Sequence, residues 1–165
     1  MADAHGKRLV EVLLDSWDRN NHILLNLLRA IPEGGLEARA MEGSPSVSEM
    51  FTHMNHERMI SVFEEASEFA GNVPEKEWMM ESDPDQIARM LNESAKRVRD
   101  AVANRLETGS DLNLHYDHPV LLIQLLIFHE AYHHGQIKLA LKVAGFPVAD
   151  DQAGPLTWDI WRHKK

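Results

Sequence analysis

Four helix-length segments, separated by proline and glycine, constrain the fold of this chain more than any other feature of its sequence. Within the segments apolar residues recur every three or four positions, the spacing of one buried helix face, and none is a convincing strand. The sequence predicts helices at 4–31, 46–69, 83–107 and 119–144, followed by an irregular tail at 145–165. We therefore expect an all-α fold, an antiparallel four-helix bundle that residues 1–165 form as a single domain.

Capping residues support the predicted helix ends. Ser46, with Glu49 three positions later, matches a capping box at the start of the second helix. Asp83 is a helix-capping residue followed by proline, and Gln86 stands where a capping box would place its second side chain. Gly145 suits the left-handed conformation that closes many helices, so it marks the end of the fourth.

The run 120–128 is apolar except for Gln124, which predicts that the fourth helix is the most buried of the four. No stretch reaches the roughly 20 apolar residues that a membrane span needs, so we expect no membrane association and a cytoplasmic location. Trp158 and Trp161 are expected to hold the tail against the bundle.

Composition excludes several classes of function. Asp and Glu outnumber Lys and Arg by 26 to 17, and this acidic balance argues against nucleic acid as a partner, because phosphate binding needs clustered basic residues. The chain has no cysteine, which excludes disulfides, cysteine-ligated zinc and a cysteine nucleophile. It has ten histidines, the residue type that most often binds metals in proteins.

The spacing of two histidines points to a metal site. His129 and His133 are four residues apart in the fourth helix, so their imidazoles share one face about one turn apart. The second helix offers His53 or His56 as a third ligand. We favour His53, because it falls in line with Met50 and other semi-apolar positions that can face the bundle axis. The alternative is that these are ordinary core histidines bonded to the backbone.

Three histidine ligands leave a coordination position for solvent or substrate, as in catalytic metal sites. Zinc fits a three-imidazole set best, nickel also suits imidazole, and iron or manganese stays open. His134 directly follows His133 and points about 100 degrees away from it, so it is not expected to share the ion.

Two other metal sites are compatible with parts of the same segment. His129, Glu130 and His133 satisfy the H-E-x-x-H motif of zinc proteases, with Glu130 as general base. The extension of that motif fails, because Gly135 follows the second histidine by two positions rather than three. A di-iron carboxylate site needs a second E-x-x-H, and Glu49 precedes the second-helix histidine by four positions. We consider both weaker than the three-histidine site.

The stretches PSVSEMFTHM and HEAYHHGQI resemble the DinB/YfiT-like family of metal-binding four-helix bundles, and the resemblance covers about residues 4–144. The resemblance implies metal ligands at His53, His129 and His133, one zinc or nickel ion per chain and frequent homodimers. It further suggests that Gly135 lets helices approach closely. Some relatives are transferases or isomerases that use a low-molecular-weight thiol, and others are described as hydrolases.

The expected function is therefore a metal-dependent enzyme that acts on a small-molecule substrate with a low-molecular-weight thiol as nucleophile, of the thiol S-transferase or isomerase type. Because the chain lacks cysteine, the thiol must come from solution. A metal-dependent hydrolase and a non-catalytic, metal-stabilised stress-response bundle are the alternatives. Glu130 is either a proton acceptor in this chemistry or a salt-bridged structural residue.

Overall fold

The computed structural model describes residues 2–162, which form a bundle of α-helices without strands and confirm the all-α prediction. The helices are α1 Ala2–Ala30, α2 Val47–Glu65, α3 Pro84–Thr108, α4 Pro119–Val143, α5 Asp150–Leu156 and α6 Trp158–Arg162. Short 3₁₀ helices occupy Gly35–Glu37 and Ser67–Phe69. Residues 163–165 of the predicted tail lie outside the described part of the chain.

The helix ends follow from the capping residues, with two exceptions. The capping box is formed: the Ser46 hydroxyl accepts the N–H of Glu49 at 3.1 Å, and the Glu49 carboxylate accepts the N–H of Ser46 at 2.7 Å. Gln86 forms no such box, because its side-chain oxygen accepts a hydrogen bond from Arg89 instead. The second helix ends at Glu65 rather than at residue 69, because the next residue, Ala66, leaves the helical region at φ −159° and ψ 64°.

The long connection 66–83 lets α2 and α3 run in the same direction. Arg58, in the middle of α2, donates to the carbonyl of Leu91 in the first half of α3 at 2.7 Å. Beyond the end of α2, Glu68 pairs with Arg105 near the end of α3. This pair of helices corrects the predicted antiparallel order, in which each helix would reverse direction and a short turn would join α2 to α3. The longer connection instead passes along α2, beside the second-helix histidines.

A buried polar layer divides the apolar core into two halves. One half is built around Leu24, Phe51, Met54, Leu91, Ile137 and Leu141. The other is built around Trp17, Val62, Val98, Leu122, Ile123 and Leu126. On each of the four long helices a polar side chain falls between these two sets: Asn21 on α1, Arg58 on α2, Ser94 on α3 and Glu130 on α4.

The C-terminal region is helical rather than irregular, so that part of the prediction is wrong. Ala153 and Thr157 are buried, and the Asn26 side chain of α1 donates to the carbonyl of Leu156 at 3.1 Å. These contacts allow α5 and α6 to form against α1. Trp158 and Trp161 are 47% and 44% exposed, so they contribute less to this attachment than the sequence suggested.

Helix α4 is not the most buried helix, which corrects the expectation from its apolar sequence. Its exposed face carries a row of large apolar residues, Leu121, Leu125, Phe128, Tyr132, Leu139 and Val143. These positions are spaced by three, four or seven residues and so lie along one side of the helix. No helix within residues 2–162 is both long and apolar enough to cross a membrane. The cytoplasmic location stays a prediction.

Candidate metal centre

Three imidazoles converge between α2 and α4. The Nε2 atom of His129 lies 3.0 Å from Nε2 of His53 and 3.0 Å from Nε2 of His133. The i, i+4 spacing on α4 brings His129 and His133 together, and the packing of α2 against α4 adds His53. Two nitrogens held tetrahedrally by one zinc ion at about 2.0–2.1 Å stand roughly 3.3 Å apart. The three histidines therefore form a group that could hold one metal ion.

The protonation state of the imidazoles suits a cation. Burial, followed by the charges of the neighbouring His133, His129 and His56, lowers the pKa of His53 to about 3. Burial, followed by the charge of His129, lowers the pKa of His133 to about 4. Both rings are therefore neutral near pH 7, and a neutral imidazole has a free lone pair. A shared cation compensates for burying them.

One side of this centre is closed by an aromatic ring, and another side is more open. The indole of Trp78 stacks on His53, with ring centroids 3.9 Å apart and an angle of 5° between the planes. His129, in contrast, is only half-buried, and Phe128 and Tyr132 beside it on α4 are exposed. The group is therefore less enclosed at His129 than at His53, which the Trp78 ring covers.

A comparison with known families agrees with this arrangement. The sequence model described as the DinB family matches residues 1–159, nearly the whole chain. The chain belongs to the DinB family. Searches of curated proteins and of solved structures found no match. Membership in the DinB family and the buried three-histidine group both fit a metal-binding protein.

Glu130 of this DinB-family chain is a structural residue and is not free to act as a base. It is 1% exposed, and both of its carboxylate oxygens accept hydrogen bonds. Arg58 donates to Oε1 through Nε at 2.5 Å and to Oε2 through Nη2 at 2.9 Å, and the side-chain amide of Asn20 also donates to Oε2. The salt-bridged alternative for Glu130 is thus the one that the structure supports, and the H-E-x-x-H protease loses its general base.

Arg58 joins all four long helices of the DinB bundle through this polar layer. From α2 it reaches Glu130 on α4, the carbonyl of Leu91 on α3 and the side-chain oxygen of Asn21 on α1, the last at 2.9 Å. Its guanidinium carbon also lies 4.8 Å from the centre of a Trp17 ring. This network fixes α2 relative to α4, and these two helices carry the three converging histidines.

Three further histidines, His56, His118 and His134, lie outside the three-histidine group. His56 is half-buried with Nδ1 3.5 Å from Glu57, as expected for a residue near the surface. His118 caps α4 by accepting the N–H of Val120 at 3.2 Å. His134 is half-buried, and its Nε2 has no hydrogen-bond partner among the described residues. It lines a separate cavity of about 380 Å³ beside α6.

Within one chain Gly135 makes no close helix contact of the kind that the family resemblance implies. The residue is exposed, and a Cβ atom built there would meet no other atom within 4 Å. No neighbouring helix approaches it within the described part of the chain.

Proposed function

We propose that this DinB-family chain binds one divalent ion, zinc or nickel, through the Nε2 atoms of His53, His129 and His133. The observation that carries the proposal is the convergence of these three atoms at 3.0 Å spacing from opposite helices. Three imidazole donors suit either metal and leave coordination positions free.

We further propose an enzyme of the thiol S-transferase or isomerase type, which acts on a small electrophilic substrate. An ion in this site would lower the pKa of a small thiol or water molecule in its open position. The chain itself holds the imidazoles of His53 and His133 neutral, and the Arg58–Glu130 ion pair fixes the two helices that carry the three histidines. Because the chain has no cysteine, a thiol nucleophile must come from solution.

The thiol proposal is preferred over hydrolysis because of Glu130. A metal-dependent hydrolase generally uses a free carboxylate or imidazole to take the proton of the attacking water. Both oxygens of Glu130 are engaged in the polar layer, so the carboxylate next to the centre on α4 cannot take that role. A free thiol has a pKa of about 8.5, far below that of water, so a bound metal deprotonates it near pH 7 with less need of such a base.

An assay with added thiol tests this function. A panel of electrophiles is incubated with glutathione, bacillithiol, mycothiol or no thiol, with and without zinc or nickel. We expect turnover only with both metal and thiol. His129→Ala should abolish turnover, while the matched variant His134→Ala should retain it. Turnover that needs metal but no thiol would support the hydrolase instead, and no turnover under any condition would support the non-catalytic bundle.

We also propose that the chain forms a homodimer through the exposed apolar face of α4. This face combines large side chains such as Phe128, 73% exposed, and Leu139, 54% exposed, in one continuous row. Such a row is unusual for a monomer surface and typical of a self-complementary dimer interface.

Light scattering decides the oligomeric state. We expect a mass of twice 18.8 kDa for the wild type and a shift toward 18.8 kDa for Leu125→Glu combined with Leu139→Glu. The control is Met41→Glu, which introduces one of these charges at a residue 70% exposed outside α4. A wild-type mass of 18.8 kDa at micromolar concentration would contradict the dimer.

A further inference from the structure

Two buried hydroxyls of α2 fasten part of the long connection onto that helix. The Ser48 hydroxyl donates to the carbonyl of Glu81 at 2.5 Å and accepts its N–H at 2.7 Å. Two residues earlier along the connection, the Thr52 hydroxyl accepts the N–H of Met79 at 3.0 Å and lies 2.9 Å from its carbonyl oxygen. Because Ser48 and Thr52 are four residues apart, they hold the segment 79–81 along α2.

Because the segment 79–81 is held along α2, the two residues before it, Glu77 and Trp78, lie beside His53. His53 directly follows Thr52 in α2. Trp78 lies parallel to the His53 ring, as described above, and its ring centre is 6.2 Å from that of His133. Glu77 places Oε1 at 2.9 Å from Nδ1 of His53. This is the ring nitrogen that faces away from the other two imidazoles.

The contact between Glu77 and His53 is short but oblique. The angles of this contact are outside the range of a hydrogen bond, so Nδ1 of His53 has no well-aligned hydrogen bond among the described residues. The Glu77 side chain is 46% exposed and has room to rotate into alignment with Nδ1. No carboxylate lies within ion-pair distance of His129 or His133 in the part of the chain that the structure describes.

We infer that Glu77 and Trp78 are positioning residues for the metal centre, which act by fixing the orientation of His53. A neutral imidazole carries one proton, and a carboxylate at Nδ1 keeps the proton there and leaves the Nε2 lone pair toward the centre. The stacked indole keeps the ring from turning out of that plane. The inference rests on the proposed three-histidine site and adds residues that the sequence did not indicate.

A second possibility involves the same carboxylate. His53, Glu57 and Glu77 also come close enough together to hold a cation. Both carboxylates are substantially exposed, at 35% for Glu57 and 46% for Glu77, and exposed carboxylates are ordinarily hydrated. We therefore assign Glu77 the positioning role. Metal stoichiometry distinguishes this role from that of a ligand for a second cation.

The test measures metal binding in the full-length chain. Zinc affinity and stoichiometry are determined by competition with a chromophoric chelator for the wild type, Glu77→Gln, Trp78→Phe and the control Glu75→Gln. Loss of a carboxylate partner of a metal-ligating histidine typically weakens binding by about 10- to 100-fold. We expect that loss in Glu77→Gln with one ion per chain retained, and wild-type affinity in Glu75→Gln. Wild-type affinity in Glu77→Gln would overturn the role of Glu77.

Tryptophan fluorescence tests Trp78 separately. A bound Cu²⁺ or Co²⁺ ion quenches an indole in close contact with its ligand, so wild-type fluorescence should fall on binding. Trp78→Phe should still bind the ion but lose most of this quenching. Thr52→Val, which removes the hydroxyl that contacts Met79, should reduce the quenching. Quenching that is unchanged in Trp78→Phe would overturn the role of Trp78.

Two further outcomes are informative. Two zinc ions in the wild type and one in Glu77→Gln would make Glu77 a ligand and refute the positioning role. If the wild type binds no metal, the three-histidine proposal fails. The metal-free protein then still shows whether Glu77 fixes the tautomer of His53. Nitrogen NMR of the His53 ring should then show the proton on Nδ1 in the wild type and a mixture of tautomers in Glu77→Gln. Identical spectra would refute the inference.

Discussion

Replacing Glu130 by Gln should destabilise this protein strongly without removing the metal. Gln keeps the shape of the side chain but removes the charge that faces Arg58, a residue with 0% exposure. Arg58 would then be a buried cation whose remaining contacts are neutral, chiefly Asn21 and the carbonyl of Leu91. Breaking a buried ion pair from one side typically costs about 3–5 kcal/mol, because the remaining charge stays unpaired in the interior.

That cost is large compared with the whole stability of a domain. Native domains are stable by about 5–15 kcal/mol, so a loss of about 3–5 kcal/mol in Glu130→Gln should remove roughly a fifth or more of the total. For a chain of this length each kcal/mol shifts the melting temperature by roughly 2–4 °C, which predicts a fall of roughly 6–20 °C. Calorimetry or thermal circular dichroism on metal-free protein measures it.

Two controls make this prediction specific. Asp100→Asn breaks the exposed pair between Lys96 and Asp100, and surface pairs contribute only about 0–1 kcal/mol. The double variant Arg58→Met with Glu130→Leu removes both charges and should recover much of the lost stability. A melting temperature for Glu130→Gln within about 2 °C of the wild type would refute the structural role. So would loss of the metal in a variant that remains folded.

Two remaining predictions concern metal removal and pH. Chelation should lower the melting temperature while the bundle stays folded at room temperature. A free metal concentration of 100 times the dissociation constant adds about 2.7 kcal/mol to the stability of the native state. An unchanged melting curve after verified metal removal would contradict this prediction. In metal-free protein the pKa of His53 is about 3 and that of His133 about 4, both below the unfolded value of 6.5. The unfolded chain therefore binds more protons below pH 6.5, and the free energy of unfolding should fall as the pH drops from 6.5 toward 4. Urea titrations across this range should show a smaller fall for His53→Gln, and an equal fall would contradict the assignment.

The sequence predicted the helices well because their signals are local. Capping residues such as Ser46 and Gly145 act within a few positions of themselves, and the spacing of His129 and His133 fixes their common face. His53 could be chosen over His56 for a similar reason, since its helical phase places it toward the bundle axis.

The sequence could not predict features that depend on contacts between distant segments. Glu130 looked like a candidate base from its motif, and only the packing of α2 against α4 shows that Arg58 engages it. The available signal was an arginine on the same helix face as the apolar Met54 and Val62, four residues before and after it. The apolar row on α4 was expected to be buried, and this was wrong. Periodicity identifies an apolar face but does not show which surface covers it. Trp78 lies in a connection without periodicity, so nothing in the sequence linked it to His53.

Metal content of purified variants tests the central claim most directly. Elemental analysis of the wild type should find one zinc or nickel ion per chain, and His53→Ala, His129→Ala and His133→Ala should each lose it. His56→Ala and His134→Ala should retain it, because neither imidazole belongs to the converging group. Full metal content in His53→Ala would contradict the three-histidine centre.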